Sequence, residues 1–196
     1  MNHNYKIALS GAAAGKRVKK AEEKAEAIGK AIAETGCILI TGATSGVPYY
    51  GAQGAKKAGG IVIGFSPAAT KLAHIKSYRL PVDYHDVIVY TGFEYAGRNL
   101  LMTRAADAVI VVSGRIGTLN EFTIAFEDNK VIGVLLNSFG VADDIAGIVA
   151  RAERGRGKIV YNTDPAKLVK EVIQKLEEDE KKESNLRHHH SRQRND

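Results

Sequence analysis

Residues 111–122 read VVSGRIGTLNEF. The apolar run at residues 107–112 ends inside this stretch. Gly114 and Gly117 then flank Arg115, and a helix-length segment begins near Thr118. Strand, glycine turn and helix in that order are the repeating unit of a doubly wound α/β sheet. Two readings of the turn stay open. Gly114 and Gly117 let backbone approach a phosphate while Thr118 offers a hydroxyl. Alternatively, Thr118 and Glu121 form a T-x-x-E capping box, in which the carboxylate bonds back to the helix start and does no chemistry.

The same rhythm extends outward in both directions. Short β-rich runs recur at residues 5–10, 37–41, 61–65, 86–90, 107–112, 131–136 and 158–162. Most are apolar throughout, as strands covered on both faces of a parallel sheet must be. Helical segments are predicted at 16–34, closed by Gly36, and at 47–58, 94–105, 118–128 and 141–153. Asp164 and Pro165 read as an N-cap followed by proline at the first helical position. Residues 66–86 break the rhythm, either as an irregular excursion or as a helix capped near Pro67 and ended before Pro81. The expected architecture is a single Rossmann-like, doubly wound, mainly parallel sheet of about seven strands with helices on both faces. It occupies residues 1–176, and the charged segment 177–196 is expected to fray and become disordered.

A chain of 196 residues with 44% apolar content buries one full core and leaves no room for a second domain. Its formal net charge of +6 suits anionic partners. The one cysteine, Cys37, lies in an apolar run where it packs as a small hydrophobe, which suits a reducing cytoplasmic setting. No eighteen-residue apolar span and no leader-like start is present, so no membrane role is expected. His3, His74 and His85 are scattered and read as surface or capping residues, so no metal site is expected.

Three glycine turns follow predicted strands and precede predicted helices: SGAAAGK (10–16) with Gly11, TGATSG (41–46) with Gly42 and Gly46, and SGRIGT (113–118). In a doubly wound sheet all three fall at the carboxyl edge, where helix N-termini present unpaired N–H groups to an anion. None is a P-loop, because GAAAGKR is one residue short and lacks the hydroxyl after lysine. The first turn also lacks G-x-G-x-x-G, which disfavours a dinucleotide.

The stretches TGFEYAGRNLLMTRAADAVIVVSGRIGTLNEF and ILITGATSGVPYYGAQGAKKAGGIVIGFSPA resemble the superfamily of LONELY GUY (LOG) proteins and molybdenum-cofactor carrier proteins. The resemblance covers roughly residues 5–175. Its most specific piece is the loop P-G-G-x-G-T-x-x-E, whose place is taken here by Ser113, Gly114, Arg115, Gly117, Thr118 and Glu121, with Arg98 upstream at the family's spacing. The resemblance implies that Arg98 and Glu121 are the pair that cleaves the N-glycosidic bond of a nucleoside 5′-monophosphate. The carboxylate would stabilise an oxocarbenium-like transition state while loop amides hold the phosphate. The bland reading pairs Arg98 with Glu94 on the same helix.

Ser113 and Arg115 depart from the family loop, and Gly97-Arg98-Asn99 looks closer to the carrier-like branch. A side chain at Arg115 either crowds the site or adds a phosphate contact. Gly51, Gly54, Gly59 and Gly60 read as packing or C-cap glycines, with a ligand contact left open for Gly51. Tyr49 and Tyr50 either stack on a base or sit half-buried at the sheet edge, and Lys16 is the one helix-start lysine with a chance of touching an anion. Three functions follow: a phosphoribohydrolase-like nucleotide binder, a non-catalytic carrier of a phosphorylated cofactor such as the molybdenum cofactor, and, ranked last, a nucleic-acid binder. No cofactor is required for the first. A small phosphorylated ligand and a homo-oligomer are the implied partners, with the Arg98 helix at the subunit interface.

Overall fold

The computed structural model of the chain describes residues 5–15 and 18–192, without the side chains of residues 18, 183 and 185–192. His3 and Lys16 lie outside the described residues. The elements are β1 (Lys6–Gly11), α1 (Val18–Glu34), β2 (Ile38–Thr41), α2 (Val47–Lys57), β3 (Val62–Ser66), α3 (Lys71–Lys76), β4 (Val87–Tyr90), α4 (Glu94–Ala105), β5 (Ala108–Val112), α5 (Ile116–Glu127), β6 (Val131–Leu135), α6 (Ile145–Ala152), β7 (Lys158–Asn162) and α7 (Pro165–Arg192), with a 3-10 turn at Gly140–Asp144 before α6. The seven strands lie in the order β4-β3-β2-β1-β5-β6-β7. Every ladder is parallel.

Side chains alternate across this sheet with a period of two, so each strand feeds two cores. Ala108, Ile110 and Val112 of β5 join Leu9, Ile28, Leu39 and Leu168 on the face covered by α1, α2 and α7. Val109 and Val111 join Ile40, Met102, Phe122 and Ile132 on the face covered by α4, α5 and α6. That double coverage is why the strand runs carry no polar alternation. The helices α1 and α2 cross backbone on backbone. A Cβ at Gly54 would overlap the Glu26 carbonyl, one at Gly29 would overlap the Gly51 carbonyl, and one at Gly51 would overlap Leu9. Gly51 is thus a packing glycine like Gly54.

The last helix, α7, runs from Pro165 to Arg192. Lys158 and Asp179 pair at 2.6 Å, and Glu180 faces the Tyr5 hydroxyl, whose pKa rises from burial and from that carboxylate, so the helix is tied down well past residue 176. Asp164 does cap it, accepting from the Lys167 N–H at 2.9 Å.

The excursion at 66–86 contains α3, capped by Thr70 rather than near Pro67: the Thr70 side chain accepts from the Ala73 N–H at 3.1 Å. His74 is fully buried, not a surface residue. Its Nε2 lies 2.9 Å from the Pro81 carbonyl and its Nδ1 2.8 Å from Ser66 Oγ. The carbonyl makes Nε2 the donor, so Nδ1 accepts from the serine. His85 does the same job one strand over, with Nδ1 2.8 Å from the Asp83 carbonyl and Nε2 2.8 Å from Thr41 Oγ1. The two imidazoles fasten the excursion to the ends of β2 and β3. Among the described residues, no helix is long and apolar enough to cross a membrane.

Burial holds the His85 pKa below its ordinary value of 6.5. The unfolded chain therefore takes up a proton first, and the stability contributed by the neutral ring is present above pH 6.5 and lost as pH falls toward the folded value. Urea unfolding of wild type should weaken more steeply than that of His85→Gln from about pH 7 down to about pH 5. Parallel pH profiles would contradict this role.

Candidate functional site

In an open parallel sheet, the crevice for a ligand forms where neighbouring strands send their chains to opposite faces. Here that point lies between β1 and β5, since β1 pairs with β2 on one side and β5 on the other. A cavity of about 340 Å³ opens there, within the usual range for small-molecule sites. Its wall includes Gly11 at the end of β1 and residues 12–14 after it, Gly42 and Thr44 after β2, Tyr95, Arg98 and Asn99 on α4, Arg115 before α5, and Gly117, Thr118 and Glu121 on α5.

The turn corrects the capping-box expectation. Ser113 (φ 58°) and Gly114 (φ 104°) both take left-handed backbone and redirect the chain at once after β5. Arg115 (φ −135°) then serves as N-cap, with no side-chain capping bond, and α5 starts at Ile116, two residues before Thr118. Thr118 is the third helical residue, so Glu121 lies beyond the capping position. The first intrahelical bond runs from the Leu119 N–H to the Arg115 carbonyl at 3.0 Å. The N–H groups of Ile116, Gly117 and Thr118 precede it and have no acceptor within the helix. Nothing lies within 4 Å of where a Gly117 Cβ would stand, so this helix end is open.

Three predicted residues stand apart from the cavity wall. Ser113 and Gly114 are turned toward the loop after β6. The Ser113 N–H donates to Ser138 Oγ at 2.8 Å, and the carbonyls of Ser113 and Gly114 accept from the Ala142 and Val141 N–H groups at 2.8 and 3.2 Å. Gly46 (φ 72°) is the N-cap of α2, where a Cβ would overlap the Ala12 carbonyl. It borders a separate shallow depression with Tyr49 and Tyr50. These tyrosines are half-buried, and Tyr49 packs edge-to-face on Tyr50 and Tyr84 at 5.6 and 5.2 Å.

Arg98 and Glu121, by contrast, meet. They are 5% and 6% exposed, and Arg98 Nη1 lies 3.8 Å from Glu121 Oε1. Glu94 is exposed and faces Tyr78 instead, so the same-helix pairing does not form. The carboxylate is held from several sides. Ser10 Oγ donates to Oε2. With its amide turned so that nitrogen faces acceptors, Asn99 donates to Oε1 and to the Tyr95 carbonyl, both at 2.9 Å. Burial pushes the Glu121 pKa up, opposed by Arg98 and Ser10, and burial pushes Arg98 down, opposed by Glu121. Arg98 is under-partnered: Nη1 reaches Met102 Sδ at 3.5 Å, and the buried Nε has no acceptor among the described residues. The guanidinium packs against Gly42, where any Cβ would overlap Nη1.

Ser10, Thr44, Tyr95 and Asn99 were not singled out as site residues from sequence. Two of them carried a signal: Ser10 ends a predicted strand beside Gly11, and Asn99 follows Arg98 directly. The buried Cys37, whose thiol burial pushes up, lies apart from this wall, in the α1–α2 core.

The family model described as the SLOG cluster4 family matches residues 4–169. A curated, uncharacterized protein of Archaeoglobus fulgidus is 34% identical over 108 residues, covering 55% of this chain and 66% of that protein, short of two thirds of its length. The X-ray structure of TM1055 superposes with a TM-score of 0.74 at 24% identity, over 87% of this chain and 99% of that one. The Moco carrier protein from Chlamydomonas reinhardtii superposes with a TM-score of 0.73 at 25% identity, over 90% of this chain and 99% of that one.

Gly42→Ala should force the Arg98 guanidinium out of its seat. A loss of about 1–3 kcal/mol in urea unfolding is expected from the overpacking, and a crystal structure of the variant should show Arg98 parted from Glu121. An unshifted arginine at wild-type stability would contradict the packing described.

Proposed function

The chain belongs to the SLOG cluster4 family, and we propose from that premise that its cavity binds a small phosphorylated ligand, either a nucleoside 5′-monophosphate or a phosphorylated cofactor of the molybdenum-cofactor kind. One observation carries the reading: the uncapped N-terminus of α5 and the almost fully buried Arg98, with its Nε unpaired, wall the same cavity. A buried donor left without an acceptor costs about 1–3 kcal/mol, more when charged. A phosphoryl oxygen removes that cost and also gains from the helix end. Thr118 adds a hydroxyl to the same wall. In this reading Gly117 leaves the amides open to the ligand, while Gly11 and Gly42 make room for Val47 and Arg98.

Glu121 favours the hydrolytic version. Its carboxylate lies in the cavity wall, fixed by Ser10, Asn99 and Arg98. A carboxylate so placed can stabilise positive charge developing at a ribose C1′ and orient a water. The carrier version uses the same phosphate donors and needs no activated water. The donor set fits the phosphate end of a molybdenum cofactor: Arg98, Arg115 and the α5 amides would hold it there. Among the described residues no cluster of three His, Cys, Asp or Glu capable of holding a metal occurs, so the fit is to that end alone.

Wild-type protein is expected to bind AMP in a calorimeter, and Arg98→Met to weaken that binding by at least about tenfold. Release of free adenine by wild type but not by Glu121→Gln supports hydrolysis. Binding without release supports the carrier, and no binding of AMP or of inorganic phosphate contradicts the whole reading.

A second copy of the chain is the proposed partner on the α4 face. Val87 and Val89, in register with Ile63 and Phe65, are exposed there, beside exposed Phe93, Leu100 and Leu101 of the α4 region. A parallel sheet normally has both faces covered, and this apolar strip is not. Sedimentation should show an oligomer for wild type and a monomer for Leu101→Glu. A wild-type monomer would remove this proposal.

A further inference from the structure

Among the described residues, three charged side chains wall the cavity: Arg98, Arg115 and Glu121. Arg98 and Glu121 face each other at 3.8 Å and largely cancel. Arg115 is left as the uncompensated charge. Its side chain is exposed, forms no hydrogen bond or ion pair with a described residue, and provides no cap to α5. Its backbone is extended, so nothing in the turn requires an arginine there. Two lysines of α1 that point toward this end of the sheet are already engaged. Lys20 lies 5.3 Å from the centre of the Phe139 ring, and Lys24 Nζ donates to the Asn137 carbonyl at 2.6 Å.

A free guanidinium at the rim, an open helix N-terminus in the wall and a buried, under-partnered arginine below them form a graded set of donors. A phosphomonoester carries about −1.5 to −2 charges near neutral pH, whereas a phosphodiester carries one and a nucleoside none. A planar guanidinium also matches two phosphoryl oxygens at once. We propose that Arg115 is the specificity-determining contact of this cavity, clamping the terminal phosphate of the ligand from the rim so that the site selects a phosphomonoester over the matching phosphodiester or nucleoside. The inference rests on reading the cavity as a phosphate site, and it adds the class of phosphate and the residue that selects it.

The test is calorimetric titration of AMP, its 5′-methyl ester and adenosine into wild type, Arg115→Gln and Arg115→Lys, with melting curves to check that each variant is folded. Wild type should rank AMP first. Arg115→Gln should lose roughly ten- to hundredfold in AMP affinity, as expected for a charge-assisted bond, while adenosine binding stays unchanged and the preference over the methyl ester collapses. Arg115→Lys should recover part of the loss, and added salt should weaken AMP binding more in wild type than in Arg115→Gln. If Arg115→Gln binds AMP as well as wild type or better, the guanidinium is a bystander or a plug; the clamp is then overturned while the phosphate site stands. If wild type binds neither AMP nor inorganic phosphate, both fall together.

Discussion

A guanidinium shut away from water with too few partners is the constraint around which this site is built. Arg98 has a carboxylate at 3.8 Å, a thioether at 3.5 Å and nothing for its Nε among the described residues. Burying a charge on such terms is expensive, and removing either partner of a buried pair leaves the other stranded. Several choices elsewhere in the chain follow from accommodating it. Gly42 has no side chain because Arg98 lies on its Cα. Ser10 and Asn99 hold Glu121 so that the carboxylate stays beside the arginine rather than turning away. These contacts draw β1, the end of β2, α4 and α5 onto one point.

The position of that point is set by topology. The adjacent strands β1 and β5 lead to helices on opposite faces, so the carboxyl edge of the sheet opens into a crevice between them. The left-handed residues Ser113 and Gly114 make the chain turn immediately after β5. As a result α5 begins at Ile116 and turns its first amides toward the crevice, beside Arg98. A later start, at Thr118, would have used the threonine and Glu121 to close the helix end on itself. Starting early frees both side chains for the cavity.

Much of this was legible in the sequence, and the exceptions have physical causes. Unbroken apolar runs such as AVIVV and VIGVL, bounded by glycine turns, suit strands covered on both faces, which is why the parallel sheet followed from pattern. Gly11, Gly42, Arg115, Gly117 and Thr118 meet in one wall because their turns end strands on that edge, whereas Arg98 and Glu121, inside helices, were paired in the sequence by the family resemblance alone. The helix start was misjudged by two residues because a serine in left-handed backbone looks no different in sequence from a serine in a strand. Gly46 and Gly114 lie off the cavity wall, Gly46 where the chain passes the Ala12 carbonyl and Gly114 in the left-handed turn after β5. His74 was read as a surface or capping residue, since a lone histidine gives no sign in sequence that Ser66 and the Pro81 carbonyl will enclose it. Ser10 and Asn99 matter through contacts with a residue more than twenty positions away, which local spacing does not reveal.

A crystal structure of the protein soaked with AMP tests the central claim most directly. The phosphate should lie within hydrogen-bond distance of the Ile116, Gly117 and Thr118 amides and should give the Arg98 Nε its acceptor. A nucleotide seated elsewhere, with that nitrogen still unpaired and the crevice between β1 and β5 vacant, would contradict the account.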